Sequence, residues 1–193
     1  IITDMGVAFT GTHQTFRVKE GQRFYTNSGF ASMGWGLPAA IGACFGNDNK
    51  RIICIAGEGG FQMTSQELAT VMHYKLPIKI FIYNNGGYLT IKQTQEINFN
   101  GQLMGCNDES GISFPQYKQL GKAYDIKSIC IKNQINLRAK IDLRNTTFFE
   151  YGKTQFSQYV SENIKTCIAC EDTSGFGSGF ADNIIKYICA IFI

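Results

Sequence analysis

This sequence has little charge, and the charge it has is dispersed. Only 17% of its 193 residues are Asp, Glu, Lys or Arg, and the formal net charge is +3. No run of Lys or Arg marks a basic groove, so nothing predicts a nucleic-acid partner. With 44% hydrophobic residues the chain can bury an ordinary core. Its length suits one domain, with at most an appendage.

Long apolar runs are also missing. The most apolar segment, IIKYICAIFI at 184–193, has ten residues and includes Lys186, whereas a membrane-spanning helix needs about 20. We therefore expect a buried strand or helix there, and no membrane partner. The N-terminus lacks the basic segment and apolar core of a secretory signal.

No complete zinc-site motif is present. Cys167 and Cys170 form a C-x-x-C motif, but no second pair or nearby histidine completes a zinc site. The total of seven cysteines is odd, and several lie in apolar runs, which is typical of free thiols and favours a reducing, cytoplasmic location. Of the two histidines, we expect His73 to face solvent or a neighbouring helix and His13 to lie nearer the sheet edge.

Strands and helices alternate over the first 141 residues. Strands are predicted at 1–4, 51–57, 78–84 and 126–131, and helices at 36–46, 65–75 and 114–124. This alternation predicts a three-layer α/β/α domain with a mainly parallel central sheet. Leu68, Val71 and Met72 are spaced to place one helix face against that sheet, and Pro77 prevents this helix from continuing.

The pattern deteriorates from residue 142. We predict a domain over 1–141 followed by an irregular extension over 142–193. From about Thr146 we expect the chain to pack poorly or to leave the parallel sheet.

Two glycine-rich turns each follow a β-branched strand. Gly57–Gly60 follows one strand and Asn84–Gly87 the next, so in a parallel sheet both turns lie at the carboxyl edge, where ligands bind. Glu58 offers a carboxylate, Asn85 an amide oxygen and Gly87 an unobstructed carbonyl, which together suit Mg²⁺.

Beside these ligands, Gly59 and Gly60 let backbone N–H groups approach a phosphate. The alternative is that each turn only connects a strand to a helix. Common nucleotide signatures are absent: Gln62 occupies the position of the third glycine of G-x-G-x-x-G, and no G-x-x-x-x-G-K-[ST] occurs.

The paired turns resemble the diphosphate-binding domain of thiamine diphosphate enzymes, nearest to the acetolactate synthase and pyruvate oxidase group. The family motif is Gly-Asp-Gly followed after about two dozen residues by Asn-Asn, and here Glu58 and Asn85 are 27 positions apart. The segment SGFASMGWGLPAAIGA, at 28–43, is similar to the family's cofactor-proximal signature. The resemblance covers roughly residues 1–132.

The resemblance implies thiamine diphosphate and Mg²⁺ as cofactors. Met33 matches the apolar residue that holds the cofactor bent, which brings its amino group near the reactive carbon. Cofactor contacts are implied for Ala31, Ser32, Met33, Gly57, Gly59, Gly60, Phe61, Asn85, Gly87 and Tyr88, and metal ligation for Glu58, Asn85 and Gly87.

The implied reaction is decarboxylation of a 2-oxo acid such as pyruvate, followed by ligation to a second carbonyl. Simple non-oxidative decarboxylation is an alternative. A catalytically inactive binding module is another, because Glu58 replaces the usual Asp, Gly60 a common Ser, and Val7 and Ala8 the usual polar side chains.

The family's activating glutamate belongs to a pyrimidine-binding domain that nothing in this chain resembles. We therefore expect no catalytic residue here, and the chain to be a fragment or one subunit of a split enzyme. Its expected partner is a pyrimidine-binding domain of the same enzyme or of a partner subunit, in an assembly that is a homo-oligomer when complete.

Overall fold

A computed structural model describes residues 1–131 and 148–151 of the chain. Its five strands are β1 (Ile2–Thr3), β2 (Ile52–Gly57), β3 (Ile78–Tyr83), β4 (Ser128–Ile131) and β5 (Phe148–Tyr151). They form one sheet in the order β1-β2-β3-β5-β4, and every neighbouring pair is parallel. The predicted α/β fold with a parallel sheet is confirmed.

Six α-helices accompany the sheet in the described residues. They are α1 (Val7–Thr15), α2 (Gly36–Phe45), α3 (Glu58–Met63), α4 (Leu68–His73), α5 (Leu89–Asn98) and α6 (Tyr117–Ala123), with short 3-10 helices at Ser65–Glu67 and Asp108–Ser110. The predicted helices correspond to α2, α4 with its preceding 3-10 turn, and α6. In this part of the chain none of the helices has both the length and the apolar character that crossing a membrane requires.

The two central β-branched runs are strands because both of their faces are covered. Every residue of β3 and all of β2 except Gly57 are buried. Successive strand side chains point to opposite faces, so continuous burial means that the sheet is packed on both sides. Leu37, Ala40 and Cys44 of α2 belong to the same apolar core.

The register of β2 and β3 places the two glycine-rich turns side by side. Gly57 is paired with Tyr83, the last residue of β3. The chain leaves both strands at the same level, so Glu58 begins α3 directly beside Asn84 and Asn85. The two strands are therefore neighbours in the sheet.

Helix α4 departs from its predicted packing at one residue. Leu68 and Val71 are buried, but Met72 is 43% exposed. One residue corresponds to about 100° of helix rotation, so Met72 projects well to the side of Val71. The buried face of α4 in the structure is therefore narrower than the sequence spacing predicted.

The expectation that the chain leaves the parallel sheet after about Thr146 is wrong for Phe148–Tyr151. These residues form β5, which pairs in parallel with both β3 and β4. Three of the four residues are aromatic and favour a strand, but four residues are too few for their periodicity to reveal it. The domain boundary at residue 141 stays a prediction, and the C-x-x-C motif and apolar tail lie outside the described residues.

Candidate functional site

The carboxyl edge of the sheet contains a cleft between the two glycine-rich turns. It is lined by residues 5–8, 57–60 and 87–91, together with Met33, Tyr83 and Asn85. Of the predicted site residues it brings together Met33, Gly57, Glu58, Gly59, Gly60, Asn85, Gly87 and Tyr88. Segments distant in sequence therefore line one cleft.

Glu58 lies at the centre of this arrangement. Its side chain is 1% exposed, and its Oε1 accepts hydrogen bonds from the backbone N–H groups of Asn85, at 2.9 Å, and Gly87, at 2.8 Å. The Gly87 N–H also donates to Asn85 Oδ1 at 3.2 Å. Because both side-chain oxygens bind one nitrogen, they are at most about 6 Å apart.

Burial makes the charge of Glu58 expensive. Desolvation raises the pKa of its carboxyl from 4.5 to about 7, although backbone N–H groups, that of Gly87 foremost, oppose the rise. Within residues 1–131 and 148–151 no Lys or Arg side chain forms an ion pair with it. A carboxylate here needs a positive partner that these residues do not supply.

The residues present fit a magnesium ion. A buried carboxylate and an amide oxygen at the mouth of two turns are hard oxygen donors of the kind that Mg²⁺ prefers, and a divalent cation would neutralise the charge of Glu58. Gly87 faces these oxygens with its N–H, so ligation by its carbonyl stays a prediction.

The glycines of the first turn are required by their protein neighbours. A side chain at Gly59 would collide with the ring of Tyr88, and one at Gly60 with the carboxylate of Asp4. Glycine at these positions therefore permits close packing inside the protein, a role that the sequence did not reveal.

Tyr117 connects the site to helix α6. Its ring is fully buried, and its hydroxyl donates a 3.0 Å hydrogen bond to the backbone carbonyl of Glu58. The ring also packs edge-to-face against Phe61, with ring centroids 5.8 Å apart. Neither contact was predicted, because 59 residues separate Tyr117 from Glu58.

Three predicted cofactor contacts do not line the cleft. Phe61 is 1% exposed and belongs to the core beside Tyr117. Ala31 and Ser32 are exposed, and the Ala31 N–H donates to the Asn27 carbonyl at 2.8 Å. Their part in cofactor binding stays a prediction.

Neither histidine lines the cleft. His13 is exposed on α1, where its ring packs between Phe9 and Phe24. His73 is exposed on α4 beside Tyr74. Val7 and Ala8 do line the cleft and give that wall an apolar surface.

Comparison with known proteins agrees with this geometry. The family model for the thiamine pyrophosphate enzyme C-terminal TPP binding domain matches residues 4–145. The acetolactate synthase large subunit of Cyanidium caldarium is 39% identical over 140 residues, which cover 72% of this chain and 23% of that protein. The large subunit of Lactococcus lactis is 35% identical over 134 residues, 69% of this chain and 23% of that protein.

The chain spans about a quarter of the length of these relatives. The match begins at Asp4 and includes both glycine-rich turns, Met33 and the whole cleft. Together with the parallel sheet and the adjacent turns, this establishes that the chain belongs to the thiamine pyrophosphate enzymes and corresponds to their C-terminal TPP-binding domain.

Proposed function

We propose that this domain binds thiamine diphosphate through Mg²⁺ in the cleft, as part of an acetolactate synthase-like enzyme. The enzyme decarboxylates a 2-oxo acid such as pyruvate and ligates the product to a second carbonyl. The observation that supports this most directly is the meeting of Glu58, Asn85 and Gly87 at one point of the cleft, in a chain of this family.

In this proposal the chain's own residues bind and orient the metal and the cofactor. Glu58 and Asn85 would hold the metal through side-chain oxygens, with the Gly87 carbonyl as the third protein ligand, and the backbone of Gly59 and Gly60 would face the diphosphate. Met33, 36% exposed at the wall of the cleft, would support the cofactor's bend. When bound, the cofactor supplies the electron sink that decarboxylation requires.

The rest of the active site belongs to a partner. We propose that a pyrimidine-binding domain, in the same enzyme or in a partner subunit of a homo-oligomer, supplies the activating glutamate and covers the open side of the cleft. The 92% exposed ring of Phe30, three residues before Met33, is consistent with such a cover. Cys44, Cys54 and Cys106 form no disulfide, which suits the cytoplasm that we propose as the location.

A calorimetric titration of the full-length protein tests the cofactor proposal. We expect thiamine diphosphate to bind in the presence of Mg²⁺ and to be released by a chelator, because the metal offsets the repulsion between the diphosphate and Glu58. A wild type that binds no cofactor with Mg²⁺ would favour the second candidate, an inactive binding module. That candidate is supported by the apolar wall of Val7 and Ala8.

Product analysis tests the reaction. Incubation of the full-length enzyme with pyruvate, cofactor and Mg²⁺ should give a ligated hydroxy-keto acid. Acetaldehyde as the sole organic product would replace carboligation with non-oxidative decarboxylation, and would leave the proposed cofactor site intact.

A further inference from the structure

Asp4 is a buried carboxylate that the proposed chemistry does not use. It follows β1 directly, is 1% exposed, and its Oδ1 accepts a 2.8 Å hydrogen bond from the backbone N–H of Met5. In the described part of the chain no cation forms an ion pair with it. A buried carboxylate without a cation is costly unless hydrogen bonds stabilise its charged form.

The main partner of Asp4 is the turn that contains Met33. The Gly34 N–H donates to both carboxylate oxygens, at 3.1 Å to Oδ1 and 3.0 Å to Oδ2. The backbone N–H groups of Trp35 and Gly36 also favour the charged form of Asp4. The Asp4 carboxylate therefore interacts with the backbone N–H groups that immediately follow Met33.

Gly34 is fixed on its other side by Thr64. The Thr64 hydroxyl, just beyond the end of α3, donates a 3.0 Å hydrogen bond to the Gly34 carbonyl. Gly34 has φ +82°, and an added Cβ would lie 2.9 Å from Met63 Cβ. The backbone that follows Met33 is thus attached to the end of β1 and to the end of the helix that begins with Glu58.

We infer that Asp4 is a positioning residue that, together with Thr64, holds Gly34 and thereby sets where Met33 stands in the cleft. The role of Met33 in this inference rests on the proposed function. The attachment of Gly34 is observed independently of that function. A backbone held at both its N–H and its C=O cannot shift without breaking a hydrogen bond, so the adjacent side chain starts from a fixed position.

Asp4→Asn tests this inference while preserving shape. The Asn side chain keeps the shape of Asp4, which packs so closely on Gly60 and Gly36 that a Cβ added to either glycine would collide with it. Its NH₂ group is a donor and cannot accept a hydrogen bond from the Gly34 N–H. One of the two hydrogen bonds from Gly34 is therefore replaced by two N–H groups that face each other. Thr64→Val removes the second attachment with little change in volume.

The first measurement is hydrogen exchange of the full-length protein without cofactor. We expect the Gly34 N–H to exchange at least about tenfold faster in Asp4→Asn, while the amides of β2 and β3 stay protected. Ser65→Ala is the control for Thr64→Val, because the Ser65 hydroxyl bonds Gln62 and does not touch Gly34. Unchanged exchange at Gly34 in Asp4→Asn would overturn the inference.

The second measurement separates positioning from general damage. We expect Asp4→Asn to weaken thiamine diphosphate binding about tenfold and to leave binding of inorganic pyrophosphate with Mg²⁺ unchanged or tighter, because only the organic part of the cofactor meets Met33. Ile80→Val, a core change of β3, is the stability control. Equal weakening of both ligands would overturn the inference.

The two proposals fail in different ways. A wild type that binds no thiamine diphosphate overturns the proposed function, and Gly34 exchange then decides alone whether Asp4 holds this turn. A wild type that binds normally, beside an Asp4→Asn variant with the same cofactor affinity, overturns the positioning role only.

Discussion

Glu58 Oε1 lies 2.8 Å from the backbone nitrogen of Gly87, across 29 residues of sequence. This hydrogen bond joins the turn after β2 to the turn after β3 and closes the floor of the cleft. It also ties a buried carboxylate to the loop that contains Asn85, so a change in the charge of Glu58 affects both turns.

Glu58→Gln should separate the charge of this side chain from its shape. The amide oxygen can still accept from Asn85 and Gly87, so we expect a folded protein. Without the negative charge, magnesium-dependent binding of thiamine diphosphate should weaken at least about a hundredfold. Calorimetry in the full-length protein measures this, and binding as tight as that of the wild type would remove Glu58 from the metal site.

Glu58→Asp is the matched variant that keeps the charge. We expect it to retain or improve magnesium-dependent binding, because it restores the residue that the family usually has. The shorter side chain reaches less far toward the backbone N–H groups of Asn85 and Gly87, so we also expect a small loss of folding stability. Complete loss of cofactor binding in the Asp variant, with normal binding by the wild type, would show that the turn has adapted to glutamate.

The stability of the metal-free protein should fall as pH rises from about 4.5 to 7. The pKa of Glu58 is higher in the folded protein, at about 7, than its ordinary value of 4.5, so the folded state binds this proton more tightly. The stabilisation is fully present below pH 4.5 and is lost as pH approaches 7, by about 3 kcal/mol at most. Urea unfolding with a chelator, at pH 5 and pH 7.5, measures the difference.

Glu58→Gln is the control for this pH dependence. Asp4 also has a pKa raised by burial, so whatever slope Asp4 contributes should persist in the variant. Added Mg²⁺ should stabilise the wild type more at pH 7.5 than at pH 5. A variant with the same slope as the wild type would show that Glu58 does not titrate in this range.

Gly59→Ala should destabilise the protein by about 1–3 kcal/mol, because the new methyl group overlaps the ring of Tyr88. Adding Tyr88→Ala should recover part of this loss, and a double-mutant cycle of unfolding free energies measures the coupling. Gly42→Ala is the control: it lies in α2 with nothing within 4 Å of an added Cβ, and should be neutral or slightly stabilising. Additive effects of the Gly59 and Tyr88 changes would contradict the predicted contact.

Tyr117→Phe should cost about 1–2 kcal/mol of unfolding free energy. The variant keeps the ring that packs on Phe61 but removes the hydroxyl that donates to the Glu58 carbonyl, so this buried acceptor loses one hydrogen bond. Thermal unfolding measures the loss. Because that carbonyl belongs to the residue that we propose as a metal ligand, we also expect weaker Mg²⁺ binding, whereas an unchanged melting temperature would show that the hydroxyl is dispensable.

The sequence by itself determined the fold class and the two turns. The apolar runs of β2 and β3 are long, β-branched and bounded by glycine, so their character as buried parallel strands follows from local pattern. Parallel strands end at one edge of a sheet, so Glu58 and Asn85 were predicted to lie at the same edge, and the pairing of β2 with β3 makes them neighbours.

Only the tertiary structure decided which neighbours fill the space around those turns. Asp4 meets Gly34 across 30 residues, and Tyr117 meets Glu58 across 59. The insertion of β5 between β3 and β4 is likewise a long-range pairing. Such contacts depend on how several elements pack at once, and no periodicity of 2 or 3.6 in a short segment encodes them. Local sequence determines the type and burial of an element, whereas the partners of a buried polar group are determined only when all the elements have packed into the core.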